Sequence, residues 1–314
     1  MPDPSPTLRL GARGSLLSRM QSQWVADALE KAHPNLKVEL IVIKTTGDRI
    51  TDRPLHEAGG KGLFTKELEQ ALLAGEVDLA VHSYKDVPVT MPLVEQANLI
   101  IAAVPPREDP RDVLVSPTAR SLAELPQNAR VGTGSLRRRC QLLAARPDLT
   151  VELIRGNIDT RLRKLREKQY DAILLAYAGL RRSALFDGGD MTPIDPADLL
   201  PAAGQGALAL QCRRDDPNTR QLLAALHSPN DAACVDLERA LVQALEGDCH
   251  SPIAALATIE RDQLTLRAAV GKHGGAPPVI HATATGLAAD PSPILKTVIA
   301  DLDRLGVRDM LHAG

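Results

Sequence analysis

The sequence predicts an α/β chain: two similar lobes built on mostly parallel sheets, followed by a small α+β domain. Three observations predict it. Strand-like and helix-like periods alternate through the first two thirds of the 314 residues, the pattern of parallel sheets covered by helices. Two Pro-rich stretches, Pro105–Pro110 and Pro193–Pro201, interrupt that alternation and mark crossings between two lobes with a cleft between them. From about Leu226 the order changes to a helix, three alternating segments and a closing helix, which fits an antiparallel sheet. Length alone, at about 150 residues per domain, gives about two domains.

Each element follows from its spacing. Leu8 and Leu10 begin the first strand, and Leu17, Met20 and Trp24 mark the face of the helix after it. Val38 to Ile43 is the next strand. Phe64, Leu68, Ala71 and Leu72 line a second helix, which feeds the alternation Val77, Leu79, Val81. That strand runs into His82-Ser83-Tyr84-Lys85-Asp86 and then Pro88. In open α/β sheets ligands bind outside such carboxyl ends. In the second lobe Arg130 to Thr133 is a strand, and Ser135 opens a helix that Pro147 stops. Val151 to Ile154, a helix on Ile158, Leu162 and Leu165, and the strand Ala172 to Leu175 follow. Last come a helix on Leu237, Ala240, Leu241 and Ala244, segments near Ile253, Leu264 and Val279, and a helix over Pro293–Leu305.

Composition narrows the function. A net charge of -2 gives no global field for nucleic acid or an anionic membrane. One Trp, three Tyr and two Phe are too few for base-stacking platforms. The longest apolar stretch, around Ala172 to Leu180, is far short of a membrane span. Cys140, Cys212, Cys234 and Cys249 form no C-x-x-C pair and read as reduced thiols of a cytoplasmic protein. The Pro-rich Met1 to Thr7 has neither the basic nor the apolar part of a secretory signal.

Cationic chemistry is therefore local. Four loops put cations at strand-to-helix junctions: Gly11-Ala12-Arg13-Gly14-Ser15, Gly59-Gly60-Lys61-Gly62, Gly132-Thr133-Gly134-Ser135-Leu136-Arg137-Arg138, and Arg155-Gly156-Asn157 ahead of Arg161. A helix N-terminus attracts anions through its free N–H groups, glycine lets the anion approach, and Arg adds a bidentate fork. Nucleotide motifs fail. Leu55 stands where a phosphate loop ending at Gly60 would need glycine, and Gly132-x-Gly134 has Arg137 in place of the third glycine. The sites suit small or polycarboxylate ligands, and no cluster has metal-ligand spacing. Cys249, on the turn Gly247-Asp248-Cys249-His250, is more accessible by its setting than Cys140, which falls on the Leu136/Leu143 helix face.

Together Arg13-Gly14-Ser15, Gly59-Gly60-Lys61-Gly62-Leu63-Phe64, Ala80-Val81-His82-Ser83-Tyr84-Lys85-Asp86-Val87-Pro88, Gly134-Ser135-Leu136-Arg137-Arg138, Arg155-Gly156-Asn157 and the Cys249 turn resemble the porphobilinogen deaminase (hydroxymethylbilane synthase) family, in order and spacing from about Leu8 to Leu311. The chain departs from it at Glu57, where the family often has Lys, at Asp248, commonly Gly, and at Ala254. The resemblance implies two periplasmic-binding-protein-like lobes, 7–105 with 207–224 and 106–206, and a C-terminal cofactor-attachment domain, 225–314. It implies a covalent dipyrromethane cofactor joined to Cys249 by a thioether.

The implied reaction condenses four porphobilinogen molecules head to tail, releases an ammonia at each step, and gives the linear tetrapyrrole hydroxymethylbilane. Asp86 is then the catalytic carboxylate, facing positive charge on pyrrole nitrogens. Arg13, Ser15, Lys61, Phe64, Ser83, Lys85, Thr133, Ser135, Arg137, Arg138, Arg155, Gly156 and Arg161 bind cofactor and substrate, whose rings each carry two carboxylates. The expected state is a cytoplasmic monomer needing no metal, nucleic acid or membrane. A binding protein of the same fold would leave Asp86 among the cations, and Cys249, without a task. A phosphate-transferring enzyme would need a phosphate loop that is missing.

Overall fold

A computed structural model describes residues 7–45, 65–89, 98–248 and 250–312. The described residues form β1 (Thr7–Arg13), α1 (Leu16–Ala32), β2 (Lys37–Ile43), α2 (Lys66–Leu73), β3 (Leu79–Ser83) and β4 (Leu99–Ala103). Then come β5 (Asp112–Val115), β6 (Arg130–Gly132), α3 (Leu136–Ala145), β7 (Thr150–Glu152), α4 (Ile158–Arg166), β8 (Ala172–Ala176), α5 (Tyr177–Arg182) and β9 (Met191–Pro193). The rest is β10 (Leu208–Arg213), α6 (Pro217–Ala224), α7 (Pro229–Ala244), β11 (Ile253–Glu260), β12 (Gln263–Lys272), β13 (Ala276–Leu287), α8 (Ser292–Arg304) and α9 (Val307–His312). The chain divides into two compact units, 1–108 with 207–232, and 109–206 with 233–314.

The first unit is built on the sheet β2-β1-β3-β10-β4. β1 pairs in parallel with β2 and β3, while β10 runs antiparallel to both β3 and β4. Four strands therefore share one direction and β10 alone opposes them. Leu8, Leu10 and Ala12 pack against Val25, Ala26 and Leu29 of α1. On the opposite face, a Cβ at Gly11 would lie 3.1 Å from Leu68 and 3.2 Å from Val77. Glycine there lets α2 sit close to the strand.

The α1 helix forms as its period requires, but it is rotated from the face expected on Leu17, Met20 and Trp24. Met20 is 37% and Trp24 43% exposed, and Leu16 is 49% exposed. The inner face is Ser18, Gln21, Ser22, Val25, Ala26 and Leu29. Its first half is polar because it borders a pocket, so the largest apolar residues mislead.

In the second unit the sheet β7-β6-β8-β5-β9 repeats that order, with β5 as the single opposing strand. Ser135 caps α3, accepting from Arg138 N at 3.4 Å. A separate antiparallel sheet, β11-β12-β13, packs on α3 and α8. A Cβ at Gly271 of β12 would stand 2.6 Å from Cys140 Sγ, so that sheet rests almost directly on the helix.

Buried at the start of β5, Asp112 ties the second unit together. It accepts from Arg137 at 2.6 Å, Arg138 at 2.7 Å and Gln205 Nε2 at 2.8 Å. Burial alone would raise the carboxyl's pKa, but the two guanidinium groups hold it well below the usual carboxylate range. Taking one Arg from such a buried cluster typically costs about 3–5 kcal/mol.

Candidate functional site

At the carboxyl ends of β1 and β3, the first unit has a pocket lined by Arg13, Ser15, Leu17, Ser18, Gln21, Thr65, Val81, His82, Ser83 and Asp86. Each residue arrives for a local reason. Ser15 caps α1 by accepting from Ser18 N at 3.4 Å, and the Ser18 hydroxyl accepts from Arg13 N at 3.2 Å. Val87 N donates to Tyr84 O at 3.2 Å, closing the 3₁₀ turn Tyr84–Asp86 that follows β3. Tyr84 is buried beneath the turn and Asp86 is exposed on it. The Gln21 amide holds the Ser83 hydroxyl at 3.1 Å.

Two features mark the pocket as more than a surface dent. Thr65 is 1% exposed, and among the described residues its hydroxyl has no hydrogen-bond partner. Behind it His82 Nε2 lies 2.9 Å from Gln211 Oε1, and Gln211 Nε2 donates to the buried Glu69 at 3.1 Å. Burial lowers the His82 pKa to about 4; the bond to Gln211 opposes this and the charge of Arg13 adds to it.

That shift has a sign. Between about pH 4 and 6.5 the unfolded chain binds a proton at His82 that the folded chain refuses. Stability from this group is therefore full above pH 6.5. It falls by up to about 1.4 kcal/mol per pH unit on acidification and levels off below pH 4. Urea midpoints against pH should show this slope in the wild type and a flatter one in His82→Asn; equal slopes would contradict it.

The second unit carries the other basic loops. Thr133 Oγ1 accepts from Ser135 N at 3.2 Å, shaping the approach to α3. Gly156 has a φ of +111°, and a Cβ there would meet Thr160 at 2.6 Å, so glycine is required. Arg161 Nε donates to Gly156 O at 2.8 Å and steadies the same loop. Arg137 and Arg138 are buried on Asp112, with further bonds to Leu200 O and Leu174 O. Their first task is structural, yet among the described residues the buried Nε of Arg137 has no partner. Arg155 Nε is likewise buried and unpartnered. Unmade donors of this kind are costly unless a ligand supplies the acceptor.

Of the residues expected from sequence, the structure brings Arg13, Ser15, Ser83 and Asp86 into one pocket. Lys85 lies on the same turn but outside the lining, and Thr133, Ser135, Arg137, Arg138, Arg155, Gly156 and Arg161 belong to the second unit. Lys61, Phe64 and Cys249 lie outside the described residues, as does the segment Met1 to Pro6. Sequence reasoning missed Ser18, Gln21, Thr65 and His82 as lining residues. The signal was the polar run Ser18, Gln21, Ser22 at helical spacing, legible once the inner face is known.

Two family models match the chain: "Porphobilinogen deaminase, dipyromethane cofactor binding domain" over residues 8–221, and "Porphobilinogen deaminase, C-terminal domain" over residues 232–303. A porphobilinogen deaminase of Syntrophotalea carbinolica is 48% identical, covering 90% of each chain. One of Syntrophobacter fumaroxidans is 47% identical over 97% of each. One of Roseiflexus sp. is 48% identical over 91% of this chain and 92% of its own. Among solved structures the methionine-binding protein MetQ superimposes with a TM-score of 0.44 at 14% identity, over 73% of this chain and 93% of that one. With matches spanning both parts of the sequence, the chain belongs to the porphobilinogen deaminase family, enzymes that polymerise porphobilinogen in tetrapyrrole biosynthesis with a dipyrromethane cofactor.

Proposed function

We propose that porphobilinogen reacts in the Asp86 pocket and that the product released is hydroxymethylbilane. The observation carrying this is the pocket itself, which gathers Arg13, Ser15, Ser83 and Asp86 around the unsatisfied Thr65 hydroxyl. Arg13 and the Ser15-capped helix start offer donors to an acetate or propionate. Asp86 offers a fixed carboxylate to the pyrrole N–H, where positive charge grows as ammonia leaves.

The cofactor's acidic side chains fit the second unit, where the unpartnered Arg137 Nε and Arg155 Nε are buried donors beside Ser135 and Gly156. Thr133, Arg138 and Arg161 shape and hold those loops, and Lys61, Phe64 and Lys85 complete the binding set. Joined to Cys249 by a thioether, the cofactor supplies the free pyrrole carbon to which substrate is added. The chain works as three domains, 7–105 with 207–224, 106–206, and 225–314. It acts as a cytoplasmic monomer, in keeping with buried thiols at Cys140, Cys212 and Cys234 that form no disulfide among the described residues.

Mixing holoenzyme with limiting porphobilinogen and reading intact mass should give a ladder of one-pyrrole increments, each matched by one ammonia. Porphobilinogen bound with neither increment nor ammonia would make the chain a binding protein and overturn the reading.

A further inference from the structure

The described lining of the pocket contains one titratable group with no role in the scheme above, and its protonation state is written in its neighbours. Glu69 on α2 and Gln211 on β10 are fully buried, and His82 on β3 is 5% exposed at the pocket wall. Because Gln211 Nε2 donates to Glu69 Oε1 at 3.1 Å, the amide turns its oxygen toward His82. That oxygen, 2.9 Å from His82 Nε2, accepts only from a protonated nitrogen. The neutral ring then carries its hydrogen on Nε2 and a bare lone pair on Nδ1. Among the described residues Nδ1 has no hydrogen-bond partner.

We infer that His82 Nδ1 accepts a hydrogen bond from the ammonium of bound porphobilinogen and orients it for departure. The inference rests on porphobilinogen reacting in this pocket. The chemistry asks for such an acceptor. When the C–N bond breaks, its electron pair goes to nitrogen and ammonia leaves with the three protons of the ammonium, while the ring keeps the positive charge. A group that removed a proton beforehand would leave a free amine, a far poorer leaving group. An imidazole kept neutral by burial and by Arg13 is much less basic than the amine. It aligns the ammonium without deprotonating it. Among the described residues the charged groups around it are Arg13 and Asp86, which share the pocket lining, and Glu69 behind Gln211.

Two substitutions separate this role from a structural one. His82→Asn keeps a side-chain oxygen near the place of Nδ1, whereas His82→Gln keeps an amide near the place of Nε2 and its link to Gln211. With primed holoenzyme and the mass ladder as readout, His82→Gln should slow the first ring addition by about 10- to 100-fold, the worth of a hydrogen bond to a charged group. His82→Asn should retain most of the rate. Equal losses, or the reverse order, would overturn the inference and leave His82 a strut of the sheet. Independently of any variant, nitrogen NMR of histidine-labelled wild-type enzyme should show the Nε2–H tautomer; an Nδ1–H tautomer or an imidazolium would also overturn it. Asp86→Asn in the same assay tells the two failures apart: an unimpaired Asp86→Asn removes the pocket reading itself, while an impaired one confines any failure to His82.

Discussion

Replacing Asp86 with Asn should slow ring addition by about 10²–10³-fold, the usual cost of losing one preorganised electrostatic group, while folding and the covalent primer survive. Asp86 is exposed on its 3₁₀ turn, and among the described residues its carboxylate has no hydrogen bond or ion pair. Neutralising it therefore breaks nothing that holds the turn, which depends on Val87 N to Tyr84 O and on Tyr84 N to Ala207 O. Loss of ammonia and the attack that follows both put positive charge on a pyrrole nitrogen. Asn keeps the size of Asp86 and can still accept from the pyrrole N–H, but without the charge. The defect should appear at every rung of the mass ladder, since each ring passes the same carboxylate. Single-turnover kinetics at near wild-type rate would remove Asp86 from the mechanism.

Arg137 gives no such clean separation. It serves Asp112 and Leu200 O, so Arg137→Leu takes a partner from a buried carboxylate as well as a donor from any ligand. From sequence, Arg137 and Arg138 read as free cations at a helix start. Their partner sits 25 and 26 residues upstream on β5, a four-residue strand just after the Pro105–Pro110 crossing, and sheet order brings it to them. No local pattern reports such a pairing.

The main alternation was legible because buried parallel strands such as Ala172–Ala176 are short apolar runs between amphipathic helices. The opposing strands were not. β10 joins a sheet whose other strands lie more than a hundred residues earlier, and only the family resemblance assigned that region to the first lobe. Four of the ten lining residues were legible as site residues, because Arg13, Ser15, Ser83 and Asp86 sit at strand ends followed by turns or caps. Four more, Ser18, Gln21, Thr65 and His82, were hidden by burial: polar residues on an inner face run against the apolar periodicity used to find that face.

Cys249→Ser should give a folded protein that carries no primer and shows no turnover. A thioether needs a thiol that can reach the solvent and ionise. Cys140 and Cys212 are fully buried, and burial pushes each thiol up to about 11. Cys140 also lies under Gly271 of the C-terminal sheet, and Cys234 is buried too. Cys249 is the remaining thiol of the four in the sequence. The residues beside it form a turn of their own: Asp248 Oδ1 accepts from His250 N at 2.8 Å and from Ser251 Oγ at 3.1 Å. Those bonds do not involve the sulfur, so serine should leave the fold intact, with the melting temperature lowered only by loss of the primer's carboxylates from the buried Arg137 and Arg155 donors. A serine hydroxyl is far less acidic than a thiol and will not form the corresponding ether at neutral pH. Intact mass should lack the two-pyrrole increment present in the wild type, and an acidic aldehyde reagent for pyrroles should stay colourless. Peptide mapping that placed the adduct on Cys140, Cys212 or Cys234 would overturn the assignment, and so would a primed, active Cys249→Ser enzyme.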